Sequence, residues 1–516
     1  MRKSSLLAAA GALGCVLAVK PALAETVEID PSGDLIGAVA SLSPGDELVL
    51  AGGTYNLTER FAIDVSGTEA APIVIRAKEG EVAIITRPDA GQNTINIENV
   101  EYVELRGIEV MGGSHGIRID HSSHVTIEGC HIHDTADVGI SANVGGSVYE
   151  GLRLIRNHIH DTGGTGEGMY LGCNENACQM LDSIVAQNYI HHTNGADVSQ
   201  GDGIEVKEGS AGNVIADNVI HDTNYPCIIT YSTVGNGPPN SIERNAMWAC
   251  GDHGIQSAAD VVIRNNIILG ANADAIRNQP HQSGAPGNIV IANNTILKPS
   301  GDGIRADGIV GSITISNNAI YTQSGNAIRL SGDLASVNLT ANLGIGGVEN
   351  VPDGGFLATG DLANDFVAAS FSGAPPNDVY PREGSALIGS GNQWQLAEDD
   401  FNGTPRGGQM DVGAYKFDAA GNPGWTIGAG FKDAPPPHEE GGSSGDGGSS
   451  AGGSAGDGGA PASGGGTSAG GAPPEGGDSS DDGCRVGAGG SGGSFAALLA
   501  FVALTVRARR NRKDAR

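Results

Sequence analysis

Aromatic residues are scarce: Phe, Trp and Tyr make up 4% of the 516 residues. A core built mainly from packed rings is excluded, and small branched side chains must fill the interior. Positive charge is also short, with 29 Lys and Arg against 59 Asp and Glu, a formal charge of −30 at pH 7. Arg2, Lys3 and Lys20 stand ahead of Glu25 and six more basic residues crowd the last ten positions, so the chain between is more acidic still. Such a surface repels phosphate backbones, which excludes nucleic acid as a partner. No apolar run reaches the ~20 residues of a full membrane-spanning helix. Cysteines number seven, and none of their spacings matches a zinc site. What is abundant is glycine, 83 residues, more than twice the usual ~7% share. With no strict Gly-X-Y period, a repetitive, turn-rich fold is expected.

The two ends read as addresses. Met1 to Ala24 combines Arg2 and Lys3, an apolar stretch from Leu6 to Val19, and Ala22-Leu23-Ala24, the pattern of a secretory signal peptide. Residues 435–483 are almost wholly Gly, Ser, Ala, Pro and Asp, too poor in apolar side chains to offset the entropy of ordering, and are expected to form a flexible linker. Residues 484–516 bring Cys484, the apolar run 495–506, and an end rich in arginine. That arrangement resembles the myxobacterial C-terminal sorting signal, which implies tail removal and retention at the cell surface through Cys484. The other reading is a plain transmembrane anchor with its basic end in the cytoplasm. Either way the folded part faces outward on a tether and meets the membrane only through the tail.

Between the ends lies an internal repeat. A Val/Ile-rich alternating run ending in Asn-x-Ile or a close variant recurs with its Asn at 157, 188, 218, 245, 266, 294 and 318, and Ile108 and Cys130 take the same slot earlier. The register aligns strand starts at Ile117, Ile140, Met169, Ile204, Ile228, Ile255, Ile276, Ile304 and Ile328. Spacings of 21 to 31 residues with period-2 strands and no room for long helices predict an all-β, single-stranded right-handed parallel β-helix of about nine to ten coils, its Asn column stacked at a tight inner turn. The expected organisation is an N-terminal cap over 25–60 with a short helix Asp34 to Leu42, coils over 61–347, and a closing segment over 348–434. The entry segment with Pro44-Gly45-Asp46 and Gly52-Gly53-Thr54-Tyr55, and Asp400-Phe401-Asn402-Gly403-Thr404-Pro405-Arg406 with Asp411-Val412-Gly413-Ala414-Tyr415 near the exit, resemble the two ends of pectate-lyase-like β-helix proteins.

Export permits disulfides. Cys173 and Cys178 enclose a short loop, Cys227 and Cys250 sit one coil apart, and Cys130, in the inward ladder slot, is expected to be a buried free thiol.

Three acidic residues gather in consecutive coils. Glu167 and Asp202 hold the position before adjacent strands, about 4.8 Å apart if stacked, and Glu205 follows on the second strand. Together they form an oxygen-rich pocket suited to Ca²⁺, cut off on one side by Pro226. Alternation sends Glu205 and Lys207 out of the coil on one face, where they are either a surface ion pair worth under ~1 kcal/mol or part of a site. An outward Glu shortly before an outward Lys, followed by Asn213 to Asn218, resembles the alginate lyase and chondroitinase B group of polysaccharide lyases. The resemblance implies that Glu205 is a calcium ligand and Lys207 the base of a β-elimination on an acidic polysaccharide. The chain departs from that group in the closer Glu–Lys spacing and in reading Cys227-Ile228-Ile229-Thr230-Tyr231 where the group has Arg-His-Gly. Tyr231 is then the candidate proton donor, and Arg277, two coils further, the candidate holder of an acidic sugar. A non-catalytic glycan-binding or adhesive surface protein is the competing reading, favoured by the acidic charge, which attracts polyuronate only where metal or Lys/Arg reverses the local field.

A second column, His133-Asp134-Thr135, His160-Asp161-Thr162, His191-His192-Thr193 and His221-Asp222-Thr223, repeats over four coils. Four stacked imidazoles invite a metal reading, but stacking of like residues at a β-helix corner, with Asp and Thr capping backbone amides, accounts for the column.

Overall fold

Val and Ile alternating with polar residues make short strands whose apolar side chains all point one way, and only a closed stack of coils buries them. The computed structural model describes residues 24–433 and consists almost entirely of parallel strands. One sheet stacks thirteen strands from Thr26–Ile29 to Val337–Thr340, most of the remaining strands form a second, larger parallel array, and Val148–Glu150 with Gln179–Leu181 and Phe366–Ala368 with Asp378–Pro381 pair separately. The aligned starts pair as expected: Ile117↔Ile140↔Met169↔Ile204↔Ile228↔Ile255↔Ile276↔Ile304↔Ile328. Their inward side chains form one continuous aliphatic core.

The stack has about eleven turns rather than nine or ten. The expectation fell short because the ends belong to the stack. Thr26–Ile29 pairs with Glu47–Leu50 within the segment 25–60, and pairing at the exit continues to Leu343↔Leu357. The entry helix, Leu35–Ala40, is capped by Asp34, whose Oδ1 accepts from Gly37 N at 2.9 Å, and it buries Leu35 and Val39 against the first coils.

Both disulfides, Cys173–Cys178 and Cys227–Cys250, are formed, and Cys130 is buried and free. Gly precedes most of the strand starts, as at Gly168, Gly203 and Gly254, and the cause is steric: a Cβ on Gly203 would stand 2.4 Å from Cys227 O of the next coil. The Asn column is a continuous buried ladder. Asn218 donates from Nδ2 to Val185 O and Asn245 Oδ1, and its Oδ1 accepts from Asn188 N and Nδ2, all at 2.9 Å. Asn218→Ala strands several buried polar groups at ~1–3 kcal/mol each, so urea unfolding should show a loss of about 3 kcal/mol. A loss under about 1 kcal/mol would mean the ladder contributes little.

The exit segment folds back along one flank. Arg406 is buried and its Nη2 donates to Gly413 O at 2.9 Å and Ala414 O at 3.1 Å, while Asp400 accepts from Asn402 N and Thr404 N, each at 2.9 Å. Phe366, Leu387, Phe401 and Tyr415 thereby cover Val219, Ala246, Ile267 and Leu297, outward positions of the later coils. No helix among the described residues is long and apolar enough to cross a membrane. The leader up to residue 23, the linker 435–483, Cys484 and the apolar run 495–506 lie outside the described residues.

Candidate functional site

Stacking in register puts Tyr170 and Glu205 on neighbouring strands of one outward column, because Met169–Leu171 pairs with Ile204–Val206. Glu167 and Asp202 precede those strands, joined by the hydrogen bond from Gly168 N to Asp202 O at 2.9 Å. The three acidic residues meet as expected: each offers a carboxylate oxygen within 4.8 Å of the other two. Pro226 takes the next slot, its carbonyl accepting from Gly203 N, and ends the acidic column.

The surface-pair expectation for Glu205 and Lys207 is corrected, since both side chains are only 2% exposed. They leave the coil outward, but loops fold over them. Gln282 Nε2, beyond strand Ile276–Asn278, donates at 2.9 Å to Asn174 Oδ1 in the loop closed by Cys173–Cys178. His281 stacks on the Tyr231 ring at 4.9 Å. Beneath this cover Lys207 Nζ pairs with Glu205 Oε1, and Tyr231 OH donates to the same oxygen at 3.0 Å. Lys207 Nζ also reaches Tyr231 OH at 3.4 Å and stands 4.7 Å from the centre of the Tyr170 ring.

Three carboxylate oxygens, Glu167 Oε1, Asp202 Oδ1 and Glu205 Oε2, are buried with no hydrogen-bond partner. Burial, then the Glu205 charge, pushes Glu167 up to about 7, and the same causes raise Asp202 well above the usual carboxylate range. Burial alone would lower Lys207, yet the charge of Glu205, with Tyr170 and Asp202, outweighs it and holds the ammonium above the ordinary lysine range. Burial pushes Tyr170 up to about 12, so its phenol keeps its proton. Unpartnered oxygens converging beside a paired ammonium suit a hard dication, which takes oxygen ligands and tolerates irregular geometry.

Arg277 is not brought into this cluster. It lies three rungs from Glu205, through Ile229 and Gln256, about 14 Å at the strand spacing. Its guanidinium is held by Asp307 at 2.8 Å and Asp274 at 3.5 Å. Tyr170 is the residue sequence reasoning missed. Its signal was the register, which sets it directly beside Glu205. A depression of about 410 Å³ lined by Asn194, Thr223, Asn272, Pro299 and other small residues lies elsewhere and holds no ionisable side chain.

The histidine column forms a stack: His133, His160, His191, His221 and Trp248 face one another at 4.5–5.2 Å. The expected caps are absent. Asp134, Asp161 and Asp222 accept from the imidazoles beside them, and Thr135, Thr162, Thr193 and Thr223 donate to backbone carbonyls. The reason is geometric: each Asp has φ of 52–54°, which folds its carboxylate back on the preceding ring. Burial and neighbouring rings hold His158 down to about 4 and His191 to about 3, so both are neutral at pH 7.

Two family models match the chain, a Pel9A-like right-handed β-helix region over residues 20–224 and a right-handed β-helix region over 155–320. The pectate lyase PEL9 of Emericella nidulans is 33% identical over 94 residues, 16% of this chain and 23% of that protein. The match thus spans less than a quarter of that relative's length. Among solved structures, pectate lyase Pel9A is similar at 16% identity, covering 76% of this chain and 96% of that one with a TM-score of 0.47. An alginate lyase from Paenibacillus sp. is 25% identical, covering 61% and 99%, with a TM-score of 0.43. The complex of XylC with xylose shares the fold at a TM-score of 0.55 and 11% identity, covering 76% and 98%.

Proposed function

We propose that this chain, which belongs to the pectate-lyase-like right-handed parallel β-helix superfamily, binds an acidic polysaccharide over the Tyr170 and Glu205 coils and cleaves it by calcium-assisted β-elimination. One observation carries the reading: three unpartnered buried carboxylate oxygens converge beside a Lys–Glu–Tyr network on one outward face. The names of the similar pectate and alginate lyases agree with a uronate-containing substrate.

Glu167, Asp202 and Glu205 would hold the calcium. When bound, it would neutralise the uronate carboxylate and draw the Glu205 charge away from Lys207. Lys207 acts as the neutral amine: having first released its own proton to solvent, it takes the proton from the carbon next to the uronate carboxylate, the electron pair forms the new double bond, and the glycosidic oxygen leaves. That oxygen needs a proton. Tyr231 supplies it within the network, and half-buried Tyr170, protonated at neutral pH, is a second phenol on the same face. Arg277, already paired, is left to shape the groove further along. We also take the protein to act outside the cytoplasm, tethered through its C-terminal tail, a reading that its two disulfides fit.

The test is to incubate the purified protein with alginate, polygalacturonate and chondroitin, with calcium or a chelator, and follow the ultraviolet absorbance of the unsaturated uronate. A calcium-dependent rise on one polymer is expected and names the substrate class. Binding without any rise would favour a glycan-binding surface protein.

A further inference from the structure

The histidine column is left over by this chemistry, and the register of the fold does not require it. The same two outward columns carry Val219, Ala246 and Ile267, and Trp248, Leu269 and Leu297, where the exit segment covers them. Only in the earlier coils do they carry imidazoles. There His131 Nε2 lies 2.8 Å from His160 Nε2, and His158 Nε2 lies 2.8 Å from His191 Nε2. His131, His158 and His160 each bring a ring nitrogen within 4.8 Å of the other two, and Glu109, His131 and His133 form a second such group that shares His131.

The far sides of the rings are arranged as well. His133, His160 and His221 each hold Nδ1 on the carboxylate of the next residue, at 2.6–2.8 Å. A neutral imidazole that donates from Nδ1 presents its Nε2 lone pair, the arrangement in which a carboxylate orients a ligating histidine. Two nitrogens bound to one tetrahedral ion at ~2.0–2.1 Å stand about 3.3 Å apart, so the 2.8 Å pair of His131 and His160 needs to open by only about half an ångström. The His131 side chain is 37% exposed and gives solvent ions access.

From this we infer a second metal site, for a first-row transition dication such as zinc, formed by His131, His158 and His160, with Glu109 beside it. Imidazole nitrogens select such an ion over calcium, which prefers oxygen, so the two sites do not compete. The ion would tie the strands His131–His133 and His158–His160 of neighbouring coils, beside Phe431, which packs edge-on against His158 at 6.2 Å.

The test is calorimetric titration of ZnCl₂ into the untagged full-length protein held in excess calcium. One equivalent is expected to bind, with affinity falling at least about 100-fold in His131→Ala and in His160→Ala and staying within twofold in His121→Ala, an exposed histidine outside the group. Binding that is absent, or unchanged in the His131→Ala/His160→Ala double variant, overturns the site. Cobalt(II) added to the unmutated protein gives a check independent of variant folding: visible d–d bands of a low-coordinate nitrogen site that zinc abolishes are expected, and a spectrum like that of aqueous cobalt refutes the inference.

Discussion

Lys207→Arg should lower the initial rate of unsaturated-uronate formation by roughly 10²–10⁴-fold, the usual worth of a positioned general base. Arginine keeps the positive charge beside Glu205 but does not give up its proton, so it separates the base from the ion pair. Lys207→Ala should lose the same activity for two reasons at once. It also leaves Glu205 buried against Glu167 and Asp202 without a counter-charge, and breaking a buried pair from one side costs about 3–5 kcal/mol. A folded Lys207→Arg protein that cleaves at the unmutated rate would remove Lys207 from the chemistry. Equal loss in both variants, with the thermal midpoint kept only in Lys207→Arg, would assign Lys207 as the base.

The second large effect is on stability. Glu167 has its folded-state pKa raised to about 7, so the calcium-free protein holds a proton there that the unfolded chain has already released above about pH 4.5. The folded state is therefore favoured at low pH and loses that advantage as pH rises through 7. The loss from Glu167 is on the order of 3 kcal/mol, and Asp202 acts in the same direction. Calcium reverses it by binding only the folded, ionised cluster. Without calcium the thermal midpoint should fall by several degrees between pH 5 and pH 8. Millimolar calcium should restore it at pH 8 and change little at pH 5. Glu167→Gln should flatten both responses. A calcium-free midpoint that stays level across this range, together with no calcium response at pH 8, would mean that the three carboxylates are not a cation site.

The carboxylate cluster was legible because it rests on register alone. Once Met169 and Ile204 are aligned as strand starts, Glu167 and Asp202 must stack, and Glu205 must leave the coil one residue into the strand. Tyr170 was equally determined by that alignment and was passed over because an outward Tyr on a solenoid face carries no charge signal. Arg277 was selected for its charge. Its neutralisation by Asp307, thirty residues later in sequence, depends on where the next coil's turn lies. The histidine corner was visible as a repeat, but the positive-φ backbone that turns each Asp onto its ring was not.

By itself the sequence determined the solenoid, its strand starts, the Asn ladder and both disulfides. A pattern repeated once per coil forces each copy onto the one before it, and alternation then decides which side chains enter the core. Alternation says only that a side chain leaves the coil, not whether it reaches water. That was decided by tertiary structure, which sets Tyr231 of the next coil, with His281 stacked on it, and Tyr170 of the previous one against Glu205 and Lys207 and turns an ordinary surface pair into a buried, charged network. The charge state of that network follows from burial summed over several coils, which no single stretch of chain encodes.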